Sequence, residues 1–176
     1  NPGLQFIIPA ANADRYRQLH LQLSNYIDYP IHLVNGQSQT VMAAADVVLM
    51  ASGTTALEAM LLKRPMVIAY KLSWLSWEIL SRMVKTPYVG LPNLLAGKKL
   101  VPELLQDDAT AENMSAAVMH YFEHPQETQA LRDTFYDMLL ASAKHPVMIS
   151  YLDNIKNKKN YLNHGKLIIR INENYG

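Results

Sequence analysis

The residues best suited to chemistry are Ser52-Gly53-Thr54-Thr55, with Glu58 one helical turn further on. A glycine lets the backbone approach a ligand closely. Small hydroxyl residues beside it, with the free N–H groups of a helix N-terminus, make a ready anion site. Glu58 is then near enough to reach a sugar hydroxyl attached to that anion. The stretch Thr55-Ala56-Leu57-Glu58 also fits a capping box, in which Glu58 merely satisfies the helix start. Spacing alone leaves both readings open. Asn93 lies in the uncharged stretch Leu91-Pro92-Asn93-Leu94-Leu95-Ala96-Gly97, where it either presents an amide to a ligand or caps the next helix. Lys71, just past an apolar run, either faces a phosphate or is solvated. The six histidines show no metal-ligand spacing, so no metal is expected.

These residues need a frame. Leu4–Pro9, Ile31–Val34, Asp46–Met50 and Met66–Tyr70 are short apolar runs that read as strands. Between them, Ala13–Asp28, Ser38–Ala45 and Thr55–Leu62 carry helical spacing, the last ended by Pro65. Strand and helix alternate, so the expected fold is α/β: a Rossmann-like parallel sheet wound with helices. In such a sheet ligands bind beyond the carboxyl ends of the strands, which is where Ser52–Thr55 falls. Further on, Tyr88–Asn93 reads as a short strand running into a loop, and two amphipathic helices follow, one from Thr110 to Pro125 and one around Leu131–Leu139. Residues 74–84 (Trp74 to Val84) form a helix apolar over most of its girth with basic flanks. It is either buried or laid against a membrane surface or acyl chains.

Composition narrows the class. The chain has 176 residues, 49% hydrophobic and 18% charged, with a net charge of +1. That is an ordinary globular α/β composition, and it gives no reason to expect a nucleic-acid partner. Charges interrupt every apolar run well short of the ~20 residues of a membrane span. With no cysteine, disulfides, thiol catalysis, Cys-ligated zinc and iron–sulfur clusters are excluded. The chain opens Asn1-Pro2-Gly3 with neither methionine nor signal peptide, and reads as a piece of something longer. Residues 1–145 read as one domain. Residues 146–176 are an atypical Asn/Lys-rich tail, expected to be disordered or foreign to the fold, with Lys166–Ile171 as a lone strand.

The run Ala45–Glu58, with Lys63-Arg64-Pro65-Met66-Val67-Ile68-Ala69-Tyr70-Lys71, resembles the C-terminal, donor-nucleotide half of a GT-B glycosyltransferase. The block Val84–Gly97, followed by Val101-Pro102-Glu103-Leu104-Leu105-Gln106, closely resembles the lipid-A-disaccharide synthase family. The Ser-Gly-Thr…Glu element is shared across many GT-B enzymes, whereas the Lys-Thr-x-Tyr-Val-x-Leu-Pro-Asn-Leu-Leu-Ala-Gly block is highly specific. The resemblance covers about residues 4–143.

The resemblance implies a cofactor-free, metal-independent, inverting transfer of 2,3-diacylglucosamine from UDP to 2,3-diacylglucosamine 1-phosphate. It places that reaction at the cytoplasmic face of the inner membrane, in a peripheral homodimeric enzyme. Ser52, Gly53 and Thr54 would hold the diphosphate and Glu58 the ribose. Asn93 with Gln37 would line the donor site. Thr55 and Lys71 complete the expected set. The family's catalytic carboxylate belongs to the acceptor-side half, and no residue here stands in for it, so this chain alone should bind nucleotide without turnover. Two other readings compete: an enzyme like UDP-N-acetylglucosamine 2-epimerase, which takes an unacylated donor, and a nucleotide-binding module without catalysis.

Overall fold

Along β3 (Val47–Met50) and β4 (Met66–Tyr70), neighbouring side chains enter different cores. Val48, Met66 and Ile68 pack with Met42, Met60 and Phe135 in one cluster. Val47 and Val67 pack with Val118 and Tyr121 in another. A strand's side chains alternate between faces, so these near-continuous apolar runs are those of strands covered on both sides. The computed structural model describes residues 3–51, 53–72, 87–142 and 166–171.

The remaining elements follow in order. They are β1 (Leu4–Ala10), α1 (Ala13–Leu23), a 3-10 turn (Ser24–Tyr26), β2 (Ile31–Asn35), α2 (Ser38–Ala44) and α3 (Gly53–Leu61). After β4 come α4 (Leu91–Ala96), β5 (Glu103–Leu105), a 3-10 turn (Gln106–Asp108), α5 (Ala111–Glu123), α6 (Pro125–Ser142) and β6 (Lys166–Ile171). The helix starts are chemically marked. Asn12 accepts from Arg15 N at 2.9 Å, and Thr110 accepts from Asn113 N at 3.1 Å. The fold is the expected α/β, Rossmann-like sheet wound with helices.

The sheet has six strands in the order β2-β1-β6-β3-β4-β5. β1 runs parallel to β2, and β3, β4 and β5 run parallel to one another. β6 is antiparallel to both of its neighbours, with Ile168 opposite Ile7 on β1 and opposite Val48 on β3. Strands β1 to β5 therefore all point the same way. A doubly wound sheet has the order 3-2-1-4-5-6, and β6 occupies its first-strand position with reversed direction. The expectation of a lone strand at Lys166–Ile171 thus changes: the segment joins the two halves of the sheet. Strand pairing across more than a hundred residues leaves no trace in a local hydrophobic pattern.

Residues 88–93 also differ from expectation. Tyr88 and Val89 carry no regular structure, and Leu91–Ala96 is a helix with Pro92 in its first turn. The Val89 and Gly90 N–H groups donate to the Glu103 carboxylate, each at 2.9 Å, rather than to a strand. Proline suits the first turn of a helix, where its missing N–H has no partner to lose. The apolar helix expected over 74–84 lies outside the described residues.

Tyr121 on α5 ties that helix to the sheet. Its hydroxyl donates to the Met66 carbonyl at 2.8 Å in a buried setting. Burial holds the phenol well above its ordinary value, against the smaller opposing effect of that hydrogen bond. The unfolded chain releases this proton near pH 10, while the folded protein keeps it. Its contribution to stability is thus full below that pH and is lost as pH rises above it. Tyr121→Phe is expected to cost about 1 kcal/mol at neutral pH. It should also remove part of the alkaline loss of stability. Urea unfolding of both chains, at neutral pH and above pH ~10, measures both effects. An identical alkaline loss in the two chains would contradict this account.

Candidate functional site

Because β1 to β5 share a direction, their C-terminal ends line one edge of the sheet. β3 ends at Met50 and hands over to α3, whose first residue is Gly53. Ser52 lies outside the described residues. Gly53 and Thr54 form the first positions of α3, whose leading N–H groups have no partner within the helix. The aligned peptides concentrate partial positive charge at this end, so the exit of β3 favours an anion.

Thr55 is fully buried inside α3, and Glu58 is half-buried one turn later on the same face. The position of Thr55 bears on the capping-box reading of Glu58. In a capping box the threonine sits at the non-helical N-cap, three residues before the glutamate. Here Thr55 is already the third helical residue. Glu58 thus lies beyond the first turn of α3.

Two more expected residues stand at the same sheet edge. Gln37 is exposed, directly beyond β2, and takes a left-handed conformation (φ 57°) as the N-cap residue of α2. Gly36 N donates to Ala10 O at 2.7 Å, which fastens this turn to the exit of β1. Lys71 is exposed directly beyond β4. The start of α3 and Lys71 thus follow the adjacent strands β3 and β4, while Gln37 follows β2, which β1 and β6 separate from β3.

Asn93 is placed elsewhere. It is fully buried on α4, against the residues that enter β5 rather than those that leave it. Its Nδ2 donates to Val101 O (2.9 Å) and Glu103 Oε1 (2.7 Å), and its Oδ1 accepts from Leu100 N (2.7 Å) and Val101 N (2.9 Å). An amide has two donors and two acceptor positions, so all are filled. Asn93 thereby braces the frame, with all four of these hydrogen bonds made within the protein.

Two residues that the sequence did not single out as site residues hold this frame. Glu103 gathers Val89 N, Gly90 N and Asn93 Nδ2 on one carboxylate. A Cβ at Gly90 would press on Ile68 Cδ1 and lie 2.8 Å from Glu103 Oε1, so a side chain there would have to displace both side-chain ends. Gln106, just past β5, accepts from Leu72 N at 2.7 Å and donates to Leu72 O at 3.3 Å. It thereby clamps the segment that carries Lys71. The partners lie up to 34 residues away along the chain, and no local pattern marks them. Among the described residues, no group of three His, Asp or Glu side chains could hold a metal ion.

A helix-wound sheet in which β1 to β5 run parallel defines a Rossmann-like domain. Comparison with known proteins makes this particular. Residues 1–146 match the lipid-A-disaccharide synthetase family. The chain is 64% identical to a lipid-A-disaccharide synthase of Cellvibrio japonicus over 138 residues, which are 78% of this chain and 36% of that protein. It is 53% identical to the Saccharophagus degradans synthase (76% of this chain, 34% of that one). Against the Alcanivorax borkumensis synthase it is 49% identical (77% and 35%). The chain belongs to the lipid-A-disaccharide synthetase family and spans about a third of the length of these relatives.

Proposed function

We propose that this chain is the donor-binding half of a glycosyltransferase that makes the lipid A disaccharide. The observation that carries this reading is the start of α3 at the exit of β3, with Glu58 beyond the cap, in a chain of this family. UDP-2,3-diacylglucosamine is the donor and 2,3-diacylglucosamine 1-phosphate the acceptor. The acceptor's 6-hydroxyl oxygen forms a bond to the anomeric carbon while the bond from that carbon to the diphosphate breaks. UDP leaves with the electron pair, and the hydroxyl proton passes to a carboxylate of the acceptor-side half. The products are the β-1,6-linked disaccharide phosphate and UDP.

This chain's residues act on the leaving group. Ser52, Gly53 and Thr54 hold the diphosphate, where the N-terminal charge of α3 offsets the negative charge that develops on UDP. Glu58 accepts a hydrogen bond from a ribose hydroxyl, with buried Thr55 holding the turn in place. Gln37 and Lys71 close the same edge around the donor. Asn93 and Glu103 keep α4 and the entry of β5 rigid beneath them, an indirect contribution.

No helix among the described residues is long and apolar enough to cross a membrane. We place the whole enzyme at the cytoplasmic face of the inner membrane, held there peripherally by the apolar segment 74–84 and working as a homodimer. The test is a hybrid in which this chain replaces the corresponding third of the Cellvibrio japonicus relative. Disaccharide should form from the acylated UDP-sugar, with none formed or epimerised from UDP-N-acetylglucosamine. Glu58→Ala in the hybrid should lower kcat/KM about tenfold to a hundredfold, the loss of one or two hydrogen bonds to the donor. Turnover of the unacylated sugar alone would instead favour the epimerase-like reading.

A further inference from the structure

At the far end of α3 from the proposed donor site, an open cleft of about 260 Å³ lies between the end of that helix and α6. Lys63, Arg64, Arg132 and Tyr136 line it, together with Asp133 and Gln129. Its position follows from the way α3 stops. Lys63 N donates to Met60 O at 2.9 Å and Arg64 N to Ala59 O at 2.8 Å, the paired bonds of a Schellman turn. Such a turn needs a left-handed residue, usually glycine or asparagine. Here Lys63 holds it at φ 53° and carries its ammonium 5.1 Å from the centre of the Tyr136 ring.

Three cations face one carboxylate in this cleft. Asp133 already accepts from Gln129 Nε2 at 2.9 Å. The Nε–H groups of Arg64 and Arg132 are both sealed from solvent and donate to nothing among the described residues. Basic residues after a helix C-terminus offset its dipole, which accounts for Lys63 and Arg64. It does not account for Arg132, which comes from a different helix, or for a sealed donor on each of two arginines that line one cleft. A buried donor without a partner costs free energy, and a native structure keeps one where something else supplies the acceptor. Arginine binds tetrahedral oxyanions side-on through Nε and one terminal nitrogen, so an anion in the cleft would draw the sealed Nε edges of these two lining residues toward it.

We propose that this cleft is a second anion site, which takes a phosphate dianion, either free or as the exposed head of a lipid. Two guanidinium groups and an ammonium match its charge, and the open mouth leaves an esterified remainder in solvent. The site is separate from the α3 N-terminus by the length of a nine-residue helix, about 13 Å. It does not depend on the donor reading.

NMR of the full chain tests this, because arginine Nε–H signals report the two groups directly. Inorganic phosphate is titrated at constant ionic strength, kept level with chloride. The expected result is saturable shifts of the Arg64 and Arg132 Nε–H signals and of the Lys63 amide. Arg132→Gln should weaken the apparent affinity at least tenfold while leaving the backbone spectrum folded. Lys63→Gln, which alters neither guanidinium, should weaken it less. Vesicles of phosphatidylcholine with and without phosphatidic acid form the second arm. Binding that needs phosphatidic acid and Arg132 assigns the site to a lipid head, and a response to phosphate alone assigns it to the free ion. Unmoved Nε–H signals, an unchanged response in Arg132→Gln, or shifts confined to the Gly53–Thr55 amides would each overturn the proposal.

Discussion

Asn93→Asp is expected to destabilise the protein by about 3 kcal/mol or more, the range reached when a buried hydrogen-bonded network is broken. Only one atom group changes, from NH₂ to oxygen, so the side chain keeps its size. In the native protein that NH₂ donates to Val101 O and to Glu103 Oε1. An aspartate oxygen there would face a carbonyl and a carboxylate, with no donor between them. In a fully buried position the charge has no water to turn to, so the new carboxyl is driven to take up a proton. The loss should therefore be smaller at acid pH, where one proton between the two carboxyls restores a donor. Urea unfolding at neutral pH and near pH ~4.5 measures this. An aspartate variant as stable as the native chain at neutral pH would mean that Asn93 does not sit in the described network. Asn93→Ala should be costly at both pH values, because it removes the acceptor from Leu100 N and Val101 N as well.

A proline at Ile168 should be costly for a different reason. Ile168 is paired on both sides, with Ile7 and with Val48, in the middle of the sheet. Proline there removes the backbone donor, and its ring disturbs the ladder, at a cost of roughly 3 kcal/mol or more. The effect should exceed a local loss. Without β6, strands β2-β1 and β3-β4-β5 have no hydrogen-bonded connection through the sheet. Ile168→Pro should therefore turn a single unfolding transition into two, or lower its midpoint sharply. A single unshifted transition would show that the tail does not complete the sheet.

How much of this was legible depends on how local each cause is. The apolar runs of β1 to β4 announce themselves because strands buried on both faces have little polar content. β5 is three residues long and begins with a glutamate, so it carries no such run. α4 has six residues, too few for a helical period to show, and its Tyr88-Val89 lead-in resembles a strand. β6 is visible as a strand, yet its place between β1 and β3 comes from pairing with residues far away in the chain. The site divides in the same way. The α3 turn stands out because strand exit, glycine, hydroxyls and glutamate are contiguous. Asn93 was visible as a polar residue in an apolar stretch, but its role depends on Val101 and Glu103, which only folding brings beside it. Glu103 and Gln106 owe their importance wholly to such contacts.

The central claim is that the exit of β3 holds UDP, with Glu58 on the ribose. Calorimetric titration of the purified chain with UDP, with GDP, and of the Glu58→Ala variant with UDP tests it most directly. Saturable UDP binding, at least tenfold weaker for both GDP and the variant, is the expected result. A folded chain that takes up no UDP, or a Glu58→Ala variant that binds it as tightly as the native chain, would contradict the account.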